Sequence, residues 1–474
     1  MPDTVITATI AGEPSERLPL SMKLAFGAGD LGPAIATSIA SFFQLFFLTT
    51  VAGLRPAAAG TLLLVVKIWD AVNDPVMGWL TDRTVSKYGR RRPWLLYGAL
   101  PFGLFFFLQW IVPPFSDTGK FVYYLVIALL FDTVFTVVNV PYAALTPELT
   151  RDYDERTSLN SFRFAFSIGG SLVAASLHQV IVNSFCADPQ ACQGAGLRPG
   201  YLVAGAIWGV CCVLPFIWCF AGTKERHTPE EGAPELGLLD QVRVAFSNRP
   251  YRFVIGIYLF SWLAVQITAS VLTFYITFWM RNPDLIPTML LAVQGSAFVF
   301  LFVWSAVSRR IGKKAVYMIG MVFWIGVQAW LFFLQPEQVT LAIALAVLAG
   351  VGISTAYLIP WSMMPDVIEL DELRTGQRRE GVFYGFMVFL QKLGLALGLF
   401  LVGLALELQG FNEQAGIDQQ PESALTAIRV MIGPVPAAIL ICGIVLTAFY
   451  PITRQKHQET LAALKERRNT KRDG

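Results

Sequence analysis

Long apolar segments alternate with short polar segments along the whole chain. Each apolar segment is long enough for a helix that crosses the hydrocarbon core of a membrane, which takes about 20 residues. The pattern therefore predicts twelve membrane-spanning helices, and an even number places both termini on the same side. The predicted spans cover residues 24–53, 58–82, 93–112, 120–147, 160–182, 200–221, 251–279, 286–308, 315–334, 338–364, 383–407 and 425–450.

The composition agrees with a membrane protein. Of the 474 residues, 55% are hydrophobic and only 15% are charged, and the mean hydropathy is +0.55. Soluble globular proteins carry about 25% charged residues, so the composition excludes a soluble enzyme, a nucleic-acid binder and a disordered scaffold. The polar N-terminus lacks a basic stretch before an apolar one, so we expect no cleaved signal peptide and a first span that stays in the membrane.

The basic residues predict the orientation of the spans. When both termini are placed in the cytoplasm, most of the 36 Lys and Arg residues fall in inner loops and tails, as the positive-inside rule requires. We therefore expect a multi-pass protein of the plasma (inner) membrane with cytoplasmic termini. Four basic residues lie in outer loops: Arg55, Lys120, Arg198 and Arg281. Four more lie within spans: Lys67, Arg163, Lys392 and Arg429.

The second half of the chain repeats the first. The loop Lys87–Gly98 resembles the loop Arg310–Gly320, and Pro141–Thr157 resembles Pro360–Thr375 at a similar offset. Two matches of this kind predict an all-α membrane protein with two six-helix halves, the major facilitator architecture, with a substrate site between the halves near the midplane. The predicted units are a cytoplasmic tail (1–22), a first half (23–221), a cytoplasmic linker (222–250), a second half (251–450) and a basic cytoplasmic tail (451–474).

Several ionisable residues lie inside predicted spans, where charge is costly and usually functional. Asp70 and Asp74 are four residues apart and therefore neighbours on one helix face, with Lys67 and Asn73 beside them. Two close carboxylates repel each other unless a cation or a proton lies between them. Together with Thr136, they predict a site for Na⁺ or H⁺. The alternative is that both aspartates only form ion pairs with Lys67 or Arg163.

Further polar and aromatic residues in the spans are candidates for substrate contact. Asp132, Thr136 and Asn139 line one stripe of the fourth span, which predicts either a cavity wall or, near Pro141, a kink packed against the second span. Tyr142 and Trp361 occupy equivalent positions in the two halves, where they can stack on a sugar or pack in a gate. The substrate-binding candidates are Asp30, Asp132, Asn139, Tyr142, Arg163, Trp361 and Lys392.

A basic inner loop predicts a gate. We expect Arg90, Arg91 and Arg92 to lie against acidic residues at the cytoplasmic ends and to close that side in the outward-facing state, or else to act only in orienting the spans. The acidic candidates are Asp82, Glu148, Asp366 and Glu369. In a predicted outer loop, Cys186 and Cys192 can form a disulfide if the compartment is oxidising; the sequence leaves this open.

The sequence lacks the clusters of histidine, acidic and cysteine residues that enzymes commonly use for catalysis. The chain has three histidines, His178, His227 and His457. We expect none of them to cluster with acids or cysteines, so neither a metal-dependent nor a nucleophilic enzyme is predicted. Two similar halves also fit a gated carrier better than a channel.

Four motifs resemble those of the glycoside–pentoside–hexuronide:cation symporters, and the similarity runs from Lys23 to about Tyr450. They read KIWDAVNDPVMGWLTDRT, YGRRRPWLLYGALP, DTVFTVVNVPYAALTPELTRDYDERTSLNSFR and PDVIELDELRTGQRREGVFYG. The resemblance implies a major facilitator fold and alternating access driven by a Na⁺, Li⁺ or H⁺ gradient, with no other cofactor. It places the cation site on Asp70, Asn73, Asp74 and Thr136. The family's substrate-side arginine of the fifth span matches Arg163, and its lysine of the eleventh span matches Lys392.

The chain departs from the family's melibiose permease at sugar-contacting positions. The Lys-Asp pair of its first span matches Pro33 and Ala34 here, the aspartate of its fourth span matches Asn139, and the tryptophan one turn further matches Ala143. These differences argue against an α-galactoside substrate.

The sodium-dependent lysophosphatidylcholine symporters of the same branch are also similar, at Asp70, Asp74 and Lys392 and at the motif PWSMMPDV. The sequence thus predicts a cation-coupled symporter of a sugar or glycoside and leaves a lysophospholipid as the alternative. We expect a monomer whose partners are a small-molecule substrate and membrane lipid.

Overall fold

The computed structural model describes residues 17–150, 153–185, 194–226, 243, 246–375, 380–412 and 415–470. Within them the fold is helical throughout and contains no strand. The helices of the first half are α1 (Leu20–Ala28), α2 (Leu31–Ile39), α3 (Pro56–Asp82), α4 (Arg92–Leu108), α5 (Asp117–Ala143), α6 (Thr146–Leu149), α7 (Tyr153–Ser184) and α8 (Arg198–Gly222). Those of the second half are α9 (Arg249–Phe274), α10 (Ile286–Ile311), α11 (Lys313–Phe333), α12 (Val339–Thr375), α13 (Glu380–Leu408), α14 (Glu422–Ile432), α15 (Pro434–Ala448) and, in the basic tail, α16 (Arg454–Thr470).

Helices occur at each of the twelve predicted places. Nine helical stretches among the described residues are long and apolar enough to cross a membrane, and α4 is apolar but shorter. The predicted span 24–53 coincides with α1, α2 and the segment after them. The predicted span 58–82 coincides with α3. The prediction of an all-helical membrane protein is therefore confirmed, with nine of its spans supported by length and hydropathy.

Two spans differ from their predicted extents. The predicted span 425–450 is interrupted at Gly433, which separates α14 from α15 and approaches the Gln328 carbonyl so closely that a Cβ would lie 2.8 Å from it. Pro434 and Pro436 follow and favour a new helix start. The span 338–364 continues as α12 to Thr375, since the polar residues after it remain helical beyond the apolar segment.

The first and seventh spans share an irregularity. After α2 the first span continues through two π-helical segments, Ala40–Gln44 and Phe47–Val51, and α9 continues into a third, Tyr275–Trp279. A π-helical turn inserts one residue and turns the following side chains to a different face, and it is frequent at functional sites. The two spans are equivalents in the two halves, and the π-helical segment Ala40–Gln44 of the first contacts α9 of the seventh.

The two halves contact each other through equivalent helix pairs, α3 with α13 and α7 with α10. We call the end of the bundle that carries Ala57 and Glu407 the outer end, and the end that carries Arg90 and Lys313 the inner end. At the outer end the Ala57 amide donates to the Glu407 carboxylate over 3.0 Å. Gly60 lies so close to α13 that a Cβ would come within 3.0 Å of the Phe400 Cα.

Aromatic side chains complete this contact at the outer end. The rings of Phe46 and Phe274 are 5.3 Å apart, and those of Phe46 and Phe278 are 6.3 Å apart. The Thr273 hydroxyl donates to the Phe42 carbonyl over 2.7 Å. At the inner end, by contrast, the ion pairs Arg90–Glu148 and Lys313–Asp366 each join elements of one half. Among the described residues, the contacts between the halves thus concentrate at the outer end and at mid-depth, so the bundle is closed at its outer end.

Candidate cation and substrate site

A carboxylate pair on α3 lies at the centre of the bundle. The sequence spacing places Asp70 and Asp74 on the same face of α3, and the structure directs this face at α13. The Lys392 ammonium lies 2.9 Å from Asp70 Oδ2 and 2.5 Å from Asp74 Oδ2. Asp70 is buried, with only 1% of its surface exposed. Because the aspartates belong to the first half and the lysine to the second, this ion pair connects the two halves.

Helix α5 extends the network. Lys67 Nζ lies 2.7 Å from Asp132 Oδ1 and 3.5 Å from Asp70 Oδ2. The Thr136 hydroxyl lies within hydrogen-bond distance of both Asp70 and Asp74, at 3.2 and 3.1 Å. A hydroxyl has one proton to donate, so it satisfies one carboxylate at a time. Asp132 and Thr136 of the polar stripe thus contact residues of α3, and Asp132 and Asn139 also line a cavity.

The network has an excess of negative charge. Three carboxylates, Asp70, Asp74 and Asp132, face two ammonium groups, Lys67 and Lys392. A net charge of this kind is costly at membrane depth and favours uptake of one cation or one proton. The carboxylates and the Thr136 hydroxyl offer the oxygen ligands that a hard cation prefers. Asn73 is buried on the same helix, and its amide nitrogen has no hydrogen-bond partner among the described residues.

A second ion pair lies deeper in the first half. Arg163 of α7 approaches Asp30 at 3.4 Å, and its guanidinium stacks on the Tyr142 ring at 5.3 Å. Tyr142 is fully buried and donates its hydroxyl proton to the Phe26 carbonyl over 2.8 Å. The positive charge of Arg163 is balanced by the negative charge of Asp30. The contacts with Asp30 and Tyr142 hold the arginine in position at the wall of a cavity.

Two cavities lie between the halves at mid-depth. The first central cavity has a volume of about 240 Å³ and is lined by Lys67, Asp70, Asp132 and Lys392. The second central cavity has a volume of about 440 Å³ and is lined by Asp30 and Arg163. A third cavity, of about 660 Å³, lies at the outer end beyond Phe46. Both central cavities are partly polar, and the second has the size of a typical small-molecule site, about 300–1,000 Å³, whereas the first is slightly smaller.

Six residues line both central cavities: Thr37, Phe135, Asn139, Trp262, Gln266 and Gln391. Asn139 was predicted, whereas Thr37 and Phe135 of the first half and the three residues of the second half were missed. A lone tryptophan or glutamine in an apolar span is common in any helix bundle, so the sequence marks none of them. The available signals are the spacing of Trp262 and Gln266, which puts both on one helix face, and the position of Gln391 beside Lys392.

Two predicted aromatic contacts lie elsewhere. Tyr142 and Trp361 are absent from the described linings of both central cavities. The Trp361 ring packs edge-on against Tyr258 with their centroids 6.2 Å apart. In this conformation the two residues act in helix packing, and their contact with substrate stays a prediction.

The predicted gate is assembled within the first half. Arg90 Nη2 and Arg91 Nε lie 2.8 and 3.1 Å from Glu148 Oε1, and Arg91 also donates to the Thr81 hydroxyl. Burial raises the pKa of the Glu148 carboxyl above its ordinary value, while the nearby guanidinium groups oppose that rise. Arg92 donates to the Phe220 carbonyl over 2.6 Å. The side chain of Asp82 lies outside the description.

Sequence reasoning missed Glu225, which holds the loop of Arg90, Arg91 and Arg92 in place. Its carboxylate accepts hydrogen bonds from the backbone N–H groups of Arg90, Arg91 and Arg92, at 2.6, 2.8 and 2.9 Å. These amides precede and begin α4, where unpaired N–H groups and the helix dipole favour a negative charge. Gly89, with φ of +102°, provides the left-handed turn that points the amides toward the carboxylate.

The other two acidic gate candidates pair within the second half. Asp366 lies 2.6 Å from Lys313, and Glu369 lies 2.7 Å from His457 Nε2. Because α16 folds back onto α12, His457 also approaches Asp366 at 3.4 Å. The expectation that none of the three histidines lies near acids is therefore wrong for His457. The pairing of Arg90, Arg91 and Arg92 with Asp366 and Glu369 stays a prediction for the outward-facing state.

Three predicted residues lie outside the described part of the chain. These are Cys186, Cys192 and His227. The disulfide between the two cysteines stays a prediction.

Comparisons with known proteins fit this geometry. A family model described as MFS/sugar transport protein matches residues 25–454. An uncharacterized symporter of Synechocystis, sll1374, is 45% identical, and the alignment covers 96% of this chain and 98% of that protein. Among solved structures, a D-xylose-proton symporter has a TM-score of 0.62 at 15% identity and covers 91% of this chain and 96% of that chain, which shows the shared fold.

Two relatives differ in the substrate that their names state. YagG of Escherichia coli, provisionally named a glycoside/cation symporter, is 28% identical, with 92% of this chain and 93% of YagG covered. The sodium-dependent lysophosphatidylcholine symporter 1-A of Danio rerio is 27% identical, with 92% of this chain and 86% of that protein covered. The family model and the relatives identify the chain as a multi-pass membrane transporter, not an enzyme, that belongs to the MFS/sugar transport protein family of major facilitator symporters.

Proposed function

We propose that the protein is a secondary symporter that couples movement of a sugar or glycoside to a Na⁺ or H⁺ gradient by alternating access. The observation that carries this proposal is the charge balance at mid-depth, where, among the described residues, the three carboxylates of Asp70, Asp74 and Asp132 face two ammonium groups, those of Lys67 and Lys392. One additional monovalent cation or one proton makes this network neutral. The family name and the symporters among the relatives support coupling to a cation.

Lys392 provides the link between cation and conformation. Its ammonium group lies between Asp70 and Asp74, in the place where a coupling cation binds the same carboxylates. A cation that binds these carboxylates beside Lys392 makes the network neutral and weakens the ion pair between the two halves. Lys392 also lines the first central cavity, so its ammonium group, held less tightly, can also contact substrate oxygens. Cation binding thereby prepares the substrate site and frees the halves to move.

The polar linings of the central cavities support a sugar as the substrate. Asp30, Arg163 and Asn139 offer hydrogen-bond donors and acceptors to hydroxyl groups around one space. The alternative is a lysophospholipid, which the similarity to the Danio rerio symporter supports. For either substrate we propose that the inner end and both termini face the cytoplasm, in the plasma (inner) membrane, and that the protein works as a monomer.

The proposal is tested by uptake into proteoliposomes under an imposed inward Na⁺ or H⁺ gradient. Labelled methyl glycosides and labelled lysophosphatidylcholine are offered in parallel. We expect glycoside accumulation that collapses when the cation gradient is removed. Accumulation of lysophosphatidylcholine alone would replace the sugar by the amphiphile, and no gradient-dependent uptake of any probe would refute cation-coupled symport of these substrates.

The Asp74→Asn variant tests the cation site. It removes one carboxylate and makes the network neutral, so gradient-driven uptake is expected to disappear while part of the substrate binding remains. Asp418→Asn is the matched control, because Asp418 is exposed and its ion pair with Arg281 lies at the surface. Cation-coupled accumulation by Asp74→Asn would show that the site assignment is wrong.

A further inference from the structure

Side chains of the second half line both central cavities without taking part in the charge network. Trp262 and Gln266 are one turn apart on α9, and Gln391 precedes Lys392 on α13. Because all three line both cavities, they lie where the cavities adjoin. A molecule that contacts Lys392 on one side and Arg163 on the other passes this position.

Close helix packing fixes Trp262 and Gln266 in place. A Cβ at Gly394 of α13 would lie 2.9 Å from Trp262 Cδ1, and one at Gly398 would lie 3.0 Å from the Gln266 Cβ. Both glycines therefore let α13 approach α9 closely. The Tyr357 ring supports the indole from the other side, with centroids 5.5 Å apart. The two polar groups are thus rigidly placed before any substrate binds.

The polar atoms of this pair have no protein partner. Trp262 Nε1 and Gln266 Oε1 are both buried and make no hydrogen bond to any residue that the structure describes. Gln266 as a whole is only 5% exposed. Buried polar atoms are normally hydrogen-bonded, so an unsatisfied donor and an unsatisfied acceptor on one face of α9 are unusual. The indole N–H can only donate, and the amide oxygen can only accept.

A hydroxyl group matches this pair because it accepts from the indole N–H and donates to the amide oxygen at once. In a lysophosphatidylcholine the phosphate diester only accepts and the quaternary ammonium group does neither, so its single glycerol hydroxyl is the one matching group, whereas a sugar ring carries several. The indole face also offers an aromatic surface on which the C–H face of a sugar ring can pack. We propose that Trp262 and Gln266 form a subsite for a hydroxyl of a neutral sugar ring. This inference rests on the proposed function and gives it a substrate class.

The test combines protein variants with altered sugars. The best-transported methyl glycoside from a panel of glucose, galactose, mannose, xylose and arabinose glycosides is the probe, and its monodeoxy analogues are the competitors. Trp262→Phe keeps a ring but removes the N–H, and Gln266→Met keeps the shape but removes the acceptor. Trp330→Phe is the control, since Trp330 is 63% exposed on α11 of the same half.

We expect Trp262→Phe and Gln266→Met each to raise the KM for the probe about tenfold, as loss of one well-placed hydrogen bond does. The cation concentration for half-maximal uptake should stay unchanged, because both side chains are uncharged, and Trp262 Nε1 and Gln266 Oε1 make no hydrogen bond to the charge network. One monodeoxy analogue should bind the wild type about tenfold more weakly than the probe, yet bind Gln266→Met as well as the probe does. That loss of discrimination separates a direct contact from a folding defect.

The outcomes separate the two proposals. If the wild type transports a glycoside but both variants keep its KM and the discrimination against every deoxy analogue, the subsite is wrong and the symporter proposal stands. If the wild type transports no member of the panel under either gradient, the sugar proposal fails, and the subsite fails with it. Uptake of lysophosphatidylcholine alone would likewise overturn both.

Discussion

Lys392 is the residue on which the proposed coupling depends. Its ammonium group contacts two carboxylates of the other half at 2.9 and 2.5 Å, and it stands in a space that a monovalent cation can also fill. Lys67, the other lysine of the network, is held by Asp132 within the first half. The two lysines therefore differ in function: Lys67 reduces the charge of the site, whereas Lys392 ties that charge to the conformation.

The charge balance can be tested by neutralising one ion pair stepwise. Asp132→Asn leaves two carboxylates opposite two ammonium groups, so the network has no excess charge to attract a cation. We expect the cation concentration for half-maximal uptake to rise at least about tenfold, because a unit charge within several ångströms is removed from a partly buried site. The measurement is glycoside uptake over a series of Na⁺ concentrations and pH values.

The double variant Lys67→Met/Asp132→Asn serves as its control. It removes both members of one pair and restores the original excess of one negative charge. Cation dependence should return toward that of the wild type, although Asp132→Asn itself is still present. Equal loss in the single and the double variant would mean that Asp132 acts as a specific ligand or packing residue, and the charge-balance argument would be wrong.

At the scale of single residues, the sequence predicts the charged residues of the candidate site but not its neutral polar residues. Asp70, Asp74, Asp132 and Lys392 could be selected because an ionisable residue in an apolar span is rare and costly. The structure brings all four into one network. Trp262 and Gln266 could not be selected, since a neutral polar side chain in a span carries little penalty. Their importance lies in unsatisfied atoms, which only the packing of α9 against α13 reveals.

At the scale of single elements, the start of α4 depends on Glu225. This residue follows α8 closely, and its carboxylate accepts from three successive backbone amides. It thereby fixes the loop that carries Arg90 and Arg91 against Glu148. We expect Glu225→Ala to destabilise the protein by about 1–2 kcal/mol, the usual cost of losing a charged N-cap, and to lower the apparent Tm by a few degrees.

Thermal unfolding in detergent measures this effect. Glu225→Gln should fall between the wild type and Glu225→Ala, because the amide oxygen still accepts hydrogen bonds but has no charge. Glu337→Gln is the matched control, since Glu337 is an exposed residue in the turn before α12. If Glu225→Ala unfolds at the same temperature as this control, the cap does not contribute to stability.

The periodicity of the sequence predicts where helices lie but not where they are irregular. Spans and helices agree to within a few residues over most of the chain, since long apolar runs dominate the signal. The π-helical segment Tyr275–Trp279 and the break at Gly433 leave no trace in hydropathy, because both arise from packing against neighbouring helices. Docking of α16 onto α12 through His457 was also missed, since a polar helix outside the membrane gives no apolar pattern.

At the scale of the whole molecule, the internal repeat predicts the architecture and leaves the conformational state undetermined. Both states of a carrier share one sequence, and their free energies differ by only a few kcal/mol. The structure adds the state: the halves meet at the outer end through Phe46, Phe274 and Phe278, and the inner-end ion pairs stay within each half. Transport then requires the outer contacts to break in each cycle.

A reversible cross-link at the outer end tests this requirement. Asn183 Nδ2 lies 3.3 Å from Asp284 Oδ1, and the two residues belong to different halves. In a background without native cysteines, Asn183→Cys/Asp284→Cys joined by a short, reducible bifunctional thiol reagent should hold the outer end closed. Uptake is expected to fall below about a tenth of its starting value and to return after reduction, since closure must alternate between the two sides.

The control cross-link lies at the same end but within one half. Asn412 and Gln420 hydrogen-bond to each other in the second half, so Asn412→Cys/Gln420→Cys with the same reagent should leave uptake nearly unchanged. Gel mobility after proteolysis between the joined positions confirms that each link has formed. Full uptake with a complete link between positions 183 and 284 would show that the outer end opens without separating α7 from α10. The closing contact would then have to be sought between α3 and α13, where Ala57 meets Glu407.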